Sequence, residues 1–258
     1  MSGEVVEKGI GKYINLKKWG FTSFELKIIA MVLMVMDHFA IFFLVNHQRL
    51  YLIFRGAGRL SFPIFCFLLV EGFYYTENRL KHGILLGAFA LISEIPYNML
   101  YGKIFYLDKQ NVMLALFIGY MVIWGLDSVA AYRVNYHKKL INKVSVLYLN
   151  IVLEVAIMVV GFAGAYFLRV SYSYGAVMLI VCFYGLRGKH FATALSNIAF
   201  NCGMFPLGLQ WIGAFSVIPI ELYNGKPGKH KAKYFFYIFY PAHIFVLGLL
   251  KKIFLLIF

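Results

Sequence analysis

The chain has 258 residues, of which 62% are hydrophobic, 19% aromatic and 14% charged, with a formal net charge of +14. A soluble chain carries roughly a quarter of its residues as charges, so a water-exposed globule is excluded and lipid must solvate much of the surface. The positive charge is therefore read as a topology signal rather than as nucleic-acid affinity, because loop Lys and Arg orient membrane spans.

The first 27 residues carry Lys8, Lys12, Lys17, Lys18 and Lys27 and lack the compact apolar run of a cleaved signal peptide. They read as a basic cytoplasmic segment, 1–27. Val6, Ile10, Tyr13 and Ile14 recur near a helical period within it, which predicts an amphipathic helix on the inner membrane surface. Residues 28–258 then form one transmembrane domain. Nine apolar segments follow in order, at roughly 28–45, 60–75, 83–100, 112–126, 144–165, 172–186, 191–206, 207–222 and 234–256. A hydrocarbon core of about 30 Å takes about 20 helical residues, and the alternation of barrel strands is absent. The fold class is all-α, a polytopic transmembrane helix bundle of about nine spans. Segments 191–206 and 207–222 carry Asn197, Asn201 and Pro206, and suit a single broken or re-entrant element as well. With a cytoplasmic N-terminus, seventeen basic residues fall on the inner side and five on the outer. That bias predicts N-inside and C-outside.

Cys66, Cys182 and Cys202 lie in apolar runs with no paired spacing, which supports neither a disulfide framework nor a metal site. The ionisable and strongly polar residues inside the spans are more informative. An Asp at a helix centre costs roughly 2.5–3.5 kcal/mol on insertion scales, so such groups face the protein interior and mark function. Asp37-His38, Arg59 with Glu71, Glu94, Asn111 and His243 are the cases here. Bland readings exist: Asp37 and Arg59 as a structural ion pair, His243 as a packing histidine, and Glu71 reaching out to interfacial water. Successive helical residues point about 100° apart, so Asp37 and His38 are expected to serve different partners. Pro96 should loosen the third span, and Pro241 should free the carbonyl of Tyr237 for another donor.

Histidine suits proton transfer near neutral pH once a carboxylate or carbonyl fixes its tautomer, and a nearby arginine can hold a phosphate or an oxyanion. Such a set fits acyl transfer, and on residue types alone it fits proton-coupled transport nearly as well. The stretch "LYNGKPGKHKAKYFFY", 222–237, adds a turn-rich inner loop with Asn224, Gly225, Lys226, Lys229, Lys231 and Lys233. Its amides and lysines would suit the phosphates of a cytosolic coenzyme, or serve only as topological charge.

Four stretches together, "ELKIIAMVLMVMDH", "GRLSFPIFCFLLVEGF", "ALISEIPYN" and "LYNGKPG" followed by "FYIFYPAHI", resemble the TraX family of polytopic bacterial inner-membrane proteins. The resemblance runs from residue 25 to about 250. The family's namesake is implicated in N-terminal acetylation of conjugative pilin, and the resemblance extends distantly to membrane acyltransferases using an intramembrane histidine and acetyl-CoA. It implies roles for Asp37, His38, Gly58, Arg59, Pro63, Glu71, Gly72, Ser93, Glu94, Pro96, Gly225, Tyr240, Pro241 and His243. Two positions depart from the pattern: Ala115 stands where a threonine is expected, and Ser173 where an aspartate is.

The expected function is a membrane-embedded acetyltransferase of the bacterial inner membrane. Acetyl-CoA is the expected co-substrate, its phosphates held by Asn224, Gly225 and Lys226 to Lys233 with Tyr240 deeper along its path. The acceptor is expected to be a pilin-like amine or a surface glycan or lipid. His38 is the first choice of base and His243 the second; Asp37 orients an imidazole or pairs with Arg59, Arg59 or a backbone amide stabilises the oxyanion, and Glu94 braces the outer side. No metal or nucleic acid is expected. The rivals are a proton-coupled transporter and a non-catalytic assembly factor for a surface appendage.

Overall fold

A computed structural model describes residues 19–136, 143–204, 208–228 and 233–257. The amphipathic stretch read at Val6 to Ile14, together with Lys229 and Lys231, lies outside the described residues. Those described are all helical in their regular structure. In order, α1 is Ser23–Phe43, α2 Gln48–Gly58, α3 Ser61–Tyr75, α4 Arg79–Ile92, α5 Glu94–Asn98, α6 Val112–Tyr136 and α7 Lys143–Phe167. Then come α8 Ser173–Gly185, α9 His190–Gly203, α10 Val217–Glu221 and α11 Lys233–Ile257.

Six stretches among the described residues are long and apolar enough to cross a membrane: Ser23–Phe43, Gln48–Tyr75, Arg79–Tyr101, Val112–Tyr132, Leu147–Phe167 and Tyr234–Leu256. The expected nine spans are thus not all matched by full-length helices. The chain is a multi-pass membrane protein. α8 has 13 residues and α9 has 14, about 20 Å each at 1.5 Å per residue, short of a 30 Å core. After α9 the chain returns through a 3-10 helix, Leu209–Ser216, that leads into α10. Asn197, Asn201, Gln210 and Ser216 hold the two limbs together: Gln210 Nε2 donates to Asn201 Oδ1 at 2.7 Å, and Asn197 Nδ2 to Ser216 Oγ at 2.7 Å. Gly213 makes this approach possible, since a Cβ there would collide with the Asn201 amide.

α1 begins at a capping box, in which Thr22 Oγ1 accepts from the Glu25 amide while the Glu25 carboxylate accepts from the Thr22 amide at 2.7 Å. Its buried residues Leu26, Ala30, Met34, His38 and Phe42 fall every four positions, one stripe on a 3.6-residue helix. α3 is buried along most of its length and packs on α1, α6 and α8. α7 lies outermost, with Leu149, Val152, Val159 and Val160 exposed, a surface suited to lipid.

The sequence reading counts Arg49 and Arg55 among the outer residues between segments 28–45 and 60–75, with Arg59 inside the second span. Gln48–Gly58 form α2, with Leu50 and Ile53 turned outward and Gly58 against α1. α4 stops at Ser93, whose hydroxyl donates to the Phe89 carbonyl at 2.5 Å, and the chain resumes as α5 with Pro96 in it.

Candidate active site

Two neighbouring residues of α1 are sent to two different helices. Asp37 faces α2, where its Oδ2 accepts from Arg55 Nη1 and its Oδ1 from Arg59 Nη2, both at 2.6 Å. His38, on the buried stripe, faces α11, and its Nδ1 lies 2.7 Å from His243 Nε2. Arg55 and Arg59 are four residues apart and share a helix face. Gly58 between them lets α1 come close, because a Cβ there would strike the side chain of Asp37. Arg59 also donates to the Arg55 carbonyl at 3.2 Å and to Tyr172 Oη at 3.4 Å. Tyr172 in turn stacks on Phe62 with ring centroids 4.0 Å apart.

The histidine pair has a definite proton order. His243 Nδ1 lies 2.8 Å from the Phe239 carbonyl. A carbonyl only accepts, so Nδ1 carries the hydrogen, and in a neutral ring Nε2 is then the acceptor. With both rings neutral, the bond between them runs from His38 Nδ1–H to His243 Nε2. His38 Nε2 is left unprotonated. The His243 imidazole is thus anchored on Phe239, one turn before itself.

Both His38 and the Asp–Arg cluster line a cavity of about 610 Å³. It lies toward the end of the bundle at which α1 finishes, called here the far end. Tyr51, Tyr97, Tyr101, Ser171, Tyr172 and Gln210 supply further polar lining, and Lys109 and Tyr240 contribute as well. Two connections are laced together at this end: the Gln110 amide donates to the Arg169 carbonyl and the Ser171 amide to the Gln110 carbonyl, at 3.0 and 3.1 Å. Arg169, Tyr172 and Ser173 all have positive φ, a rare conformation for residues with side chains. This bent connection sets Tyr172 against Arg59.

Of the other expected residues, Glu94 stands behind the cavity rather than in it. Its carboxylate accepts from the Asn111 amide at 3.0 Å and from the Asn111 side chain, joining α5 to the start of α6. Ala115 and Ser173, where the chain departs from the resembled pattern, do not line the cavity either. Glu71 does not reach out to water. It is buried against Arg187 at 2.7 Å, with side chains 6% and 9% exposed, and the guanidinium lies over the Tyr74 ring.

The Asn224–Gly228 loop sits at the opposite, near end, where it clasps the start of α1. The Asn224 amide donates to the Phe21 carbonyl, Asn224 Nδ2 to that of Gly20, and the Lys226 amide to Asn224 Oδ1, all at 2.9 Å. The Lys226 and Pro227 carbonyls accept from the Ser23 and Phe24 amides. Positive φ at Gly225 and Gly228 shapes this clasp. The amides expected to face phosphate at Asn224 and Lys226 are committed within the chain, whereas the Lys226 side chain is exposed. A second cavity of about 160 Å³ adjoins the clasp, lined by Glu71, Arg187, Tyr223 and Gly225 among others.

Sequence reasoning missed Arg55, Lys109, Tyr172 and the contact between the histidines. The four-residue spacing of Arg55 and Arg59 was a usable signal. The others come from connections and helices far apart in the chain.

Comparison with known proteins gives a consistent assignment. The chain is 28% identical over 236 residues to the probable fimbrial assembly protein FimC, serogroup H1, of Dichelobacter nodosus, covering 88% of this chain and 94% of that one. No solved structure matches it. The family model for the TraX protein matches residues 23–251, and the chain belongs to the TraX family.

Proposed function

We propose that the protein is a membrane-embedded acetyltransferase that moves an acetyl group from cytosolic acetyl-CoA to an acceptor amine or hydroxyl in the far-end cavity. The observation that carries this reading is the ordered pair of buried histidines, which leaves a bare imidazole nitrogen on a residue lining a cavity that also holds two arginines.

In this reading the acceptor nitrogen or oxygen attacks the thioester carbonyl carbon and gives its proton to His38 Nε2. The new bond to carbon forms, and the negative charge on the carbonyl oxygen is met by the guanidinium of Arg59. His38 becomes an imidazolium whose Nδ1–H already points at His243 Nε2, so the charge is shared with a second ring and the Phe239 carbonyl. The carbon–sulfur bond then breaks with its electron pair going to sulfur, which takes the proton as the thiol of coenzyme A. Asp37 holds the arginines in place.

The sidedness rests on charge. In the sequence count seventeen basic residues fall on the inner side and five on the outer. Among the seventeen, Arg79, Lys81, Arg187, Lys189 and Lys226 lie at the near end, which favours a cytoplasmic near end. The coenzyme then enters beside Lys226, Lys229, Lys231 and Lys233, with lysine side chains rather than loop amides as the phosphate ligands and Tyr240 deeper along its path. From Ser23 to His38 α1 rises roughly 22 Å, which is the depth the acyl arm must reach. The relative's name, a fimbrial assembly protein, supports an acceptor belonging to a pilus or its assembly apparatus in a bacterial cytoplasmic membrane.

Release of free coenzyme A thiol from acetyl-CoA by the purified protein tests the reading. Wild type should turn over, and His38→Ala should lose roughly 10²–10⁴-fold, the usual share of general base catalysis. If wild type releases no thiol with or without pilin extracts, the charged cluster is a brace and the assembly role is non-catalytic.

A further inference from the structure

The far-end cavity holds more positive charge than its own residues neutralise. Arg55 and Arg59 share the single carboxylate of Asp37. Lys109 lines the same cavity, and no other acidic side chain does among the described residues. Lys109 has no hydrogen bond or ion pair with a described residue, and its backbone is fixed by the Gln110 bridge to Val170. Its side chain is exposed, so it stands at the open edge of the cavity, facing the guanidiniums of Arg55 and Arg59. With both rings neutral, the histidine pair adds no charge. Three cations therefore face one anion, in a cavity with tyrosine hydroxyls and the Gln210 amide around them.

An unbalanced cluster of this kind suits an anionic ligand. A phosphate ester with a free dianion carries about −1.5 to −2 at pH 7, matching the surplus, whereas one carboxylate would leave a cation unmatched. Guanidinium forks and an ammonium are also the usual donors to phosphate oxygens. The coenzyme has phosphates too, but Lys226, assigned to them above, lies at the other end of the bundle. We propose that the acceptor carries a phosphate ester and is gripped through it by Arg55 and Lys109. Arg59, already held by Asp37 and Tyr172, stays beside His38. The proposal rests on the reading of the cavity as the acceptor side of an acyl transfer, and it assigns the acceptor's chemical class.

Calorimetric titration of the full chain in phosphatidylcholine nanodiscs with inorganic pyrophosphate, at fixed ionic strength and without acetyl donor, tests it. Saturable binding is expected, roughly tenfold or more weaker in Arg55→Gln and in Lys109→Gln and unchanged in Lys81→Gln, whose side chain is exposed at the start of α4. Lys109→Gln removes no bond of the fold, so its effect reads affinity rather than folding. Absence of saturable binding, or binding indifferent to Lys109, overturns the proposal. So does an acidic glutamate peptide that binds as tightly as pyrophosphate, which would reassign the cavity to a protein carboxylate. Coenzyme A binding that weakens equally in Lys109→Gln would assign the phosphate site to the donor, with the same consequence. A protein that binds pyrophosphate this way yet never releases thiol from acetyl-CoA defeats the acyl-transfer reading alone.

Discussion

Asp37 and His38 are adjacent, yet each is explained by a different helix. Asp37 neutralises two guanidiniums in a place poor in water, with its side chain 14% exposed and those of Arg55 and Arg59 22% and 17% exposed. Replacing it by Asn leaves both cations uncompensated, which for a buried pair costs about 3–5 kcal/mol. The double variant Asp37→Asn/Arg59→Gln should melt above Asp37→Asn, because one stranded charge has been removed. Thermal unfolding in detergent measures both, and a double variant less stable than the single would mean that Arg59 is held by other contacts. Gly58→Ala is expected to lose about 1–3 kcal/mol, the usual cost of overpacking, since the added methyl meets Asp37. An unchanged melting temperature would show that α1 and α2 separate easily.

At the level of elements, long apolar runs were legible and half-polar ones were not. α1, α3, α7 and α11 lie close to their sequence segments because lipid demands length and apolarity of them. α2 escaped notice because three of its eleven residues, Gln48, Arg49 and Arg55, are polar or charged, so it reads as a loop until Asp37 is seen to neutralise its arginine. The pair formed by α9 and the following 3-10 segment was ambiguous for the opposite reason. It is apolar enough to suggest two spans, while its buried amides need each other more than they need length. Asn201→Ala should leave Gln210 Nε2 and Asn197 Oδ1 without their partner, at about 1–3 kcal/mol, and should increase proteolysis within 190–221. Equal resistance to protease would contradict the role given to the amide ladder. The His38–His243 contact spans 205 positions, and no spacing rule reaches that far, so two candidate bases were legible but not their union.

Across the whole molecule, the two ends divide the work. The near end carries the clasp with Lys226 and the Glu71–Arg187 pair; the far end carries the cavity. In a cysteine-free background, a thiol placed at Lys103 should react with an impermeant reagent added to intact cells, and one placed at Lys226 should not. The reverse pattern would put the cavity in the cytoplasm. The central claim is that His38 and His243 work as one proton relay for acyl transfer. Its most direct measurement is the rate of coenzyme A release by His38→Ala, His243→Ala and the double variant. Residues that act as a unit are strongly non-additive, so the account predicts a double variant no slower than His38→Ala alone. Losses that multiply in the double variant, or full turnover by His38→Ala, would contradict it.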